Sequence, residues 1–347
     1  MSAFFHAVPI TLIPLLQTFV IAFIGAGLMK ARALTADGLD VLAKLIMQLF
    51  LPLMIFTNIV SNFRPGSAEY AGWYLMPLLA IGTISLVLIL SIYPTRWICH
   101  PDRQRPFHLL AGFQNAGYIP IVIVSALYPA TPEAMHIRNR MLVLLFLYVM
   151  GQNPLLWYVG VVVSRRTTNQ PNAPKPTWWA LVQQGFSPPL MASVVSILLC
   201  LLRVPQSLPP AYLEKVLAPL NTLSSCTVPM VMLVLGAMIA SIKAGSRPPR
   251  HEIASLVILR LVLLPLFYLL LLEGMLHWGW LTRAFAVILF IESLTPSATN
   301  IGVMMRRYGS AQASEFVSHA LMHSYLWSMV SMPFWLTLWS LRSGFSV

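Results

Sequence analysis

Apolar residues run along this chain in long blocks separated by short polar connectors. A helix needs roughly 20 mostly apolar residues to cross a bilayer. About ten blocks qualify, near 7–29, 39–60, 70–93, 106–128, 138–163, 187–203, 213–242, 252–273, 281–305 and 315–341. The first, from Ala7 to Met29, is too long and too apolar for a cleavable signal peptide and reads as a span. The sixth is short, with Pro188 and Pro189 at its entrance. Only the stretch 164–186 breaks the rhythm: Arg165-Arg166, Pro171, Pro174 and Pro176 mark it as a polar linker at mid-chain. The pattern predicts an all-α integral membrane protein of about ten transmembrane helices, five in residues 1–163 and five in 187–347.

Composition supports that pattern. Of 347 residues, 58% are hydrophobic and 9% charged, and the mean hydropathy is +0.75. So few charges cannot cover a water-facing surface, whereas lipid requires no such cover. The net charge of +12 does not point to nucleic acid, because the basic residues cluster between apolar blocks as orienting residues do. Of the 22 Lys and Arg, thirteen fall at odd-numbered connectors, seven at even connectors and termini, and two (Lys44, Arg260) inside spans. This bias puts the odd connectors in the cytoplasm and both termini outside, with the plasma or inner membrane favoured over an organelle. Five spans per half is an odd number, so the halves are expected to be inverted repeats, as in many secondary transporters. Internal similarity agrees: Leu39 and Leu213 open matching segments, and Pro52 matches Pro229 and Pro120 matches Pro296, at offsets of 174 to 177. Cys99, Cys200 and Cys226 are well separated, so neither a structural disulfide nor a metal pair is expected.

Spans four and nine are the expected seat of function. They carry Gly112-Phe-Gln-Asn-Ala-Gly-Tyr-Ile-Pro120 and Glu292-Ser-Leu-Thr-Pro-Ser-Ala-Thr-Asn300. A mid-helix proline kinks or breaks a helix, and freed backbone groups survive in a membrane only beside polar partners or a cavity. Gln114, Asn115, Thr295, Ser297, Thr299 and Asn300 supply such partners around Gly117, Pro120 and Pro296. Two facing breaks would aim positive half-helix ends at an anionic group. The alternative for either segment alone is an ordinary proline kink.

Ionisable residues inside spans are costly and function-bearing by default. Arg260 could meet a substrate carboxylate or pair structurally with Glu292; Glu292 could carry a coupling proton or only neutralise Arg260. Gln152 and Asn153 beside Pro154 could donate to a carboxylate or bond helix to helix. His319 and His323 share a helix face, but with no third ligand they read as packing or proton-relay groups. Lys44 reads as snorkelling to the interface.

At these residues the chain resembles the auxin efflux carrier family, bacterial or plant-type. The resemblance spans nearly the whole length and is most specific in Leu42-Ala-Lys-Leu through Leu51-Pro-Leu-Met-Ile-Phe56, Asn115 to Pro120, Arg260 to Pro265, and Pro296 to Asn300 with Tyr308-Gly309. It implies two inverted five-helix repeats with crossing broken helices four and nine, as in the bile-acid symporter architecture. It further implies a scaffold of spans one, two, six and seven, against which spans three to five and eight to ten move. Known substrates of such carriers are organic anions, either indole acids or small carboxylates. Asn58, with Thr57, falls where the family contributes to its pocket, and a homodimer is implied. The long middle loop of the largest plant carriers is absent here.

No HExxH, GxSxG or pair of acids in adjacent spans supports an intramembrane enzyme. A channel would call for pore repeats or charge rings. A sodium-coupled bile-acid-type symporter, or a membrane receptor, remains as the alternative. The expected partners are an organic anion and lipid, with no cofactor or metal.

Overall fold

The computed structural model describes residues 13, 16, 19–129, 131–168, 186–241 and 249–343. Most of the linker at 164–186, with its prolines and Lys175, lies outside the described residues, as do Lys243, Arg247 and most of the first span before Phe19. All regular elements described are helical: α1 (Phe19–Lys30), α2 (Ala36–Asn62), α3 (Ala68–Ile98), α4 (Pro101–Gly112), α5 (Tyr118–Leu127), α6 (Pro132–Arg165), α7 (Pro188–Leu201), α8 (Pro210–Ser241), α9 (Arg250–His277), α10 (Arg283–Leu294), α11 (Thr299–Tyr308) and α12 (Ala311–Ser343). Among them α2, α3, α6, α8 and α9 are long and apolar enough to cross a membrane; α1, α5 and α7 are shorter apolar helices.

Two of the long helices widen before a proline. In α2 the turn Ile46–Phe50 is a π turn, closed by the Leu51 N–H on the Ile46 carbonyl, just ahead of Pro52. In α9 the turn Leu259–Leu263 does the same ahead of Pro265. Proline has no N–H for the carbonyl four residues back. For Pro265 that carbonyl belongs to Leu261, and α12 satisfies it twice, through Ser331 Oγ at 2.7 Å and Trp335 Nε1 at 2.8 Å. The proline thus creates an acceptor that ties α9 to α12, and the π turn turns Arg260 into the interior.

The helices pack in two sets. The second half of α2 lies against α7 and the first half of α8, and its first half against the second half of α8. A Cβ at Gly236 would lie 1.8 Å from the Ala22 carbonyl oxygen, and one at Gly25 would lie 2.0 Å from that of Leu233. Glycine at both positions is therefore what lets α1 and α8 touch backbone to backbone, the small-residue contact that serves where lipid supplies no hydrophobic drive. In the other set α3 packs on α6, α9 on α10, and α12 on α4, α9, α10 and α11. Buried Glu252 at the start of α9 locks this set to the α3–α4 corner. It accepts Arg103 Nε at 2.6 Å, Arg103 Nη2 at 2.9 Å and the His100 N–H at 3.1 Å.

Candidate functional site

The chain leaves the helical path between α4 and α5 and again between α10 and α11, and the two departures meet. Residues 113–117 and 295–298 run antiparallel. The Asn115 N–H donates to the Pro296 carbonyl at 2.8 Å, and the Ala298 N–H donates to the Phe113 carbonyl at 3.0 Å. Side chains take the backbone groups still open: Ser297 Oγ donates to the Leu110 carbonyl at 2.7 Å, and Ser324 Oγ accepts the Ser297 N–H at 3.3 Å. Asn115 Oδ1 accepts the Tyr118 N–H at 3.0 Å, capping α5. Its Nδ2 donates to the Tyr325 hydroxyl of α12. Unsatisfied backbone would be prohibitive at this depth, and the strand-like pairing resolves it.

A cleft of about 420 Å³ opens on one side of the crossing. Its polar wall holds Gln114, Asn115, Gln152, Asn153, Thr299 and Asn300. Met47 and Leu51 of α2, Val149 and Leu156 of α6 and Pro189 of α7 form the apolar wall. Gly117 with Tyr118, and Thr299 with Asn300, bring the first turns of α5 and α11 to the same space, so two positive helix ends face it. Gln152 Nε2 donates to the Gln114 carbonyl at 2.7 Å. Among the described residues the side chains of Asn153 and Asn300 make no hydrogen bond, and both are only part-buried. They are free donors aimed at a shared cavity.

The other expected residues lie elsewhere. Pro296 sits inside the pairing and Ser297 behind it, while Pro120 falls in the first turn of α5; none of the three lines the cleft. Asn58 lies nearly two turns beyond Leu51 and away from the cleft; its carbonyl accepts Asn62 Nδ2 at 2.9 Å. Arg260 and Glu292 are buried on the far side of the crossing. Each is an electrostatic neighbour of the other and of Tyr148 and Tyr268. No ion-pair contact joins them, and Arg260 Nε and Nη2 and both Glu292 oxygens lie outside hydrogen-bond geometry. Gln114 links this cluster to the cleft: its amide donates to the Tyr148 hydroxyl and lies beside Glu292, while its carbonyl holds Gln152. His319 is buried and its carbonyl accepts from the His323 ring at 2.9 Å.

Tyr325, which the sequence did not single out, joins Thr299, one of the hydroxyls expected at the break. Both line a second, larger cavity of about 1080 Å³, and Thr299 also lines the first. That cavity separates α2 and α8 (Leu39, Asp40, Leu235, Met238) from α11 and α12 (Arg306, Leu321). The Asn115–Tyr325 hydrogen bond stands between the two spaces. A tyrosine directly after Ser324, on a helix whose polar residues are scattered over all its faces, gives no periodic signal; only the fold brings it to Asn115.

Among curated proteins none matches the chain. Against protein families, residues 10–336 match the one described as membrane transport protein. The chain, an integral multi-pass membrane protein, therefore belongs to that family of transporters, the auxin efflux carriers.

Proposed function

We propose that the chain carries a singly charged organic acid with an apolar body across the membrane, binding it in the cleft at the crossing. The observation that carries this reading is the pair of free amides, Asn153 and Asn300, at a cavity faced by two helix N-termini. Amide donors and helix dipoles recognise a carboxylate, and Met47, Leu51, Val149 and Leu156 suit an aromatic or aliphatic body. No cationic side chain lines the cleft among the described residues, which favours one negative charge over the two of malate or malonate. Gln152, Asn115 and Gly117 complete the site; Pro120, Pro296 and Ser297 build the crossing that holds it.

Movement is of the elevator kind in this reading. The scaffold is α1, α2, α7 and α8, and α3–α6 with α9–α12 carry the substrate against it, as two inverted five-span repeats with both termini outside. The larger cavity between the two sets has Asp40, Ser241 and Arg306 at one end. These lie beside the odd-numbered, Lys- and Arg-rich connectors, so the conformation is read as open to the cytoplasm. Glu292 is the candidate for a coupled proton and Arg260 its balancing charge, since Gln114 joins them to the cleft wall.

The test is charge movement by purified protein in liposomes against indole-3-acetate, malate, malonate and neutral analogues, with and without proton and sodium gradients. Saturable current with indole-3-acetate is expected. A response only to the dicarboxylates would overturn the substrate class. Strict dependence on sodium would favour a bile-acid-type symporter.

A further inference from the structure

We propose that the pocket where α3, α4 and α6 converge binds the phosphate of an anionic lipid headgroup. Three arginines from three elements line it: Arg96 near the end of α3, Arg105 in the first turns of α4 and Arg166 at the end of α6. Gln104, His108 and Thr95 add polar groups to this open pocket, whose free space including the solvent at its mouth is about 620 Å³. The chain has only 10 acidic residues, and their allocation is telling. Neighbouring Arg103 is bonded by both arms to Glu252. By contrast, Arg96, Arg105 and Arg166 have no carboxylate within 4.0 Å among the described residues. The one hydrogen bond these three side chains make there runs from Arg105 to the Arg166 carbonyl, which draws α4 and α6 together and leaves most of the guanidinium donors available. Guanidinium groups hold phosphate in forked geometry and stay charged at any physiological pH.

Position selects the source of that phosphate. Tyr93 and Trp97, 71% and 89% exposed, flank the pocket as an aromatic belt does at headgroup depth. Ile89, Leu90 and Ile92 expose apolar surface along the preceding turns of α3, a track for acyl chains that a free anion would not use. Basic pockets between helices at this depth hold anionic headgroups. Arginines that merely orient the chain need no shared pocket.

Native mass spectrometry of the full chain, delipidated and offered phosphatidylglycerol, phosphatidylcholine or inorganic phosphate, tests this. Wild type should retain phosphatidylglycerol over phosphatidylcholine. The triple variant Arg96→Gln, Arg105→Gln, Arg166→Gln should bind it roughly 100-fold more weakly, from three lost arginine contacts. A variant losing equal charge elsewhere, Arg203→Gln, Lys215→Gln, Arg283→Gln, should bind as wild type. Should the triple variant not fold, Arg96→Gln alone, which breaks no hydrogen bond, should weaken binding about fivefold. Unchanged retention in the pocket variants, equal loss in the charge-matched control, or inorganic phosphate binding as tightly as the lipid would each overturn the proposal.

Discussion

The hydrogen bond from Asn115 to Tyr325 is both the partition between the two cavities and a measurable quantity. Asn115→Ala removes two things. The Tyr118 N–H loses its cap, worth about 1 kcal/mol, and the Tyr325 hydroxyl loses a donor inside a buried site, worth about 1–3 kcal/mol. Thr299 lies beside the hydroxyl as an alternative partner, so the second figure belongs near its lower end and the total is about 2–3 kcal/mol. Tyr325→Phe keeps the cap and leaves Asn115 Nδ2 without an acceptor, at about 1–2 kcal/mol. In the double variant the partner left behind by each single change is already gone. It should therefore unfold about where Asn115→Ala does, a coupling of about 1–2 kcal/mol. Reversible denaturation in bicelles, followed by tryptophan fluorescence, measures all four corners of the cycle. Strict additivity would refute the bond and with it the partition.

Removing one buried charge should cost more than removing both. Arg260→Met removes the nearest counter-charge of buried Glu292 and should cost about 1–3 kcal/mol, part of which adding Glu292→Gln should recover; equal melting of the single and double variants would contradict the electrostatic coupling. Arg103→Ala leaves buried Glu252 with the His100 N–H and the His251 ring at 3.8 Å and should cost about 3 kcal/mol, while Glu252→Gln costs less because Arg103 reaches water. Gly236→Ala drives a methyl into the Ala22 carbonyl and should destabilise by about 1–3 kcal/mol. Gly82→Ala, with nothing within 4 Å, should stabilise its helix by about 0.5–1 kcal/mol. Thermal melts in one detergent compare all of these.

The helices could be read along the chain because a membrane span announces itself by length and polarity alone. The five long apolar helices lie where the apolar blocks do, and the helical path stops at Gly112 and Leu294, just ahead of the amides and prolines of spans four and nine. Register inside the site was less legible. Pro120 and Pro296 drew attention as breakers, yet neither meets the cleft; the residues beside them do, since a proline opens space that its neighbours fill. Asn58 was assigned by likeness, but the widened turn at Ile46–Phe50 sets which face of α2 meets the crossing, and that face carries Met47 and Leu51. Arg260 could be read as a substrate ligand or as a partner of Glu292, because charge inside a span is costly. It lies away from the cleft as an electrostatic neighbour of Glu292, a placement that depends on how α9, α10 and α12 pack and that no periodicity encodes.

The most direct test of the central claim is the initial uptake rate of indole-3-acetate against its concentration for Asn300→Ala. Asn300 bonds to nothing else among the described residues, so its loss should leave folded yield and melting temperature unchanged. The account predicts at least a tenfold loss of apparent affinity, the amide's hydrogen bond to an anion being worth about 1.5–3 kcal/mol. Wild-type affinity in a folded Asn300→Ala variant would contradict a substrate site at the crossing.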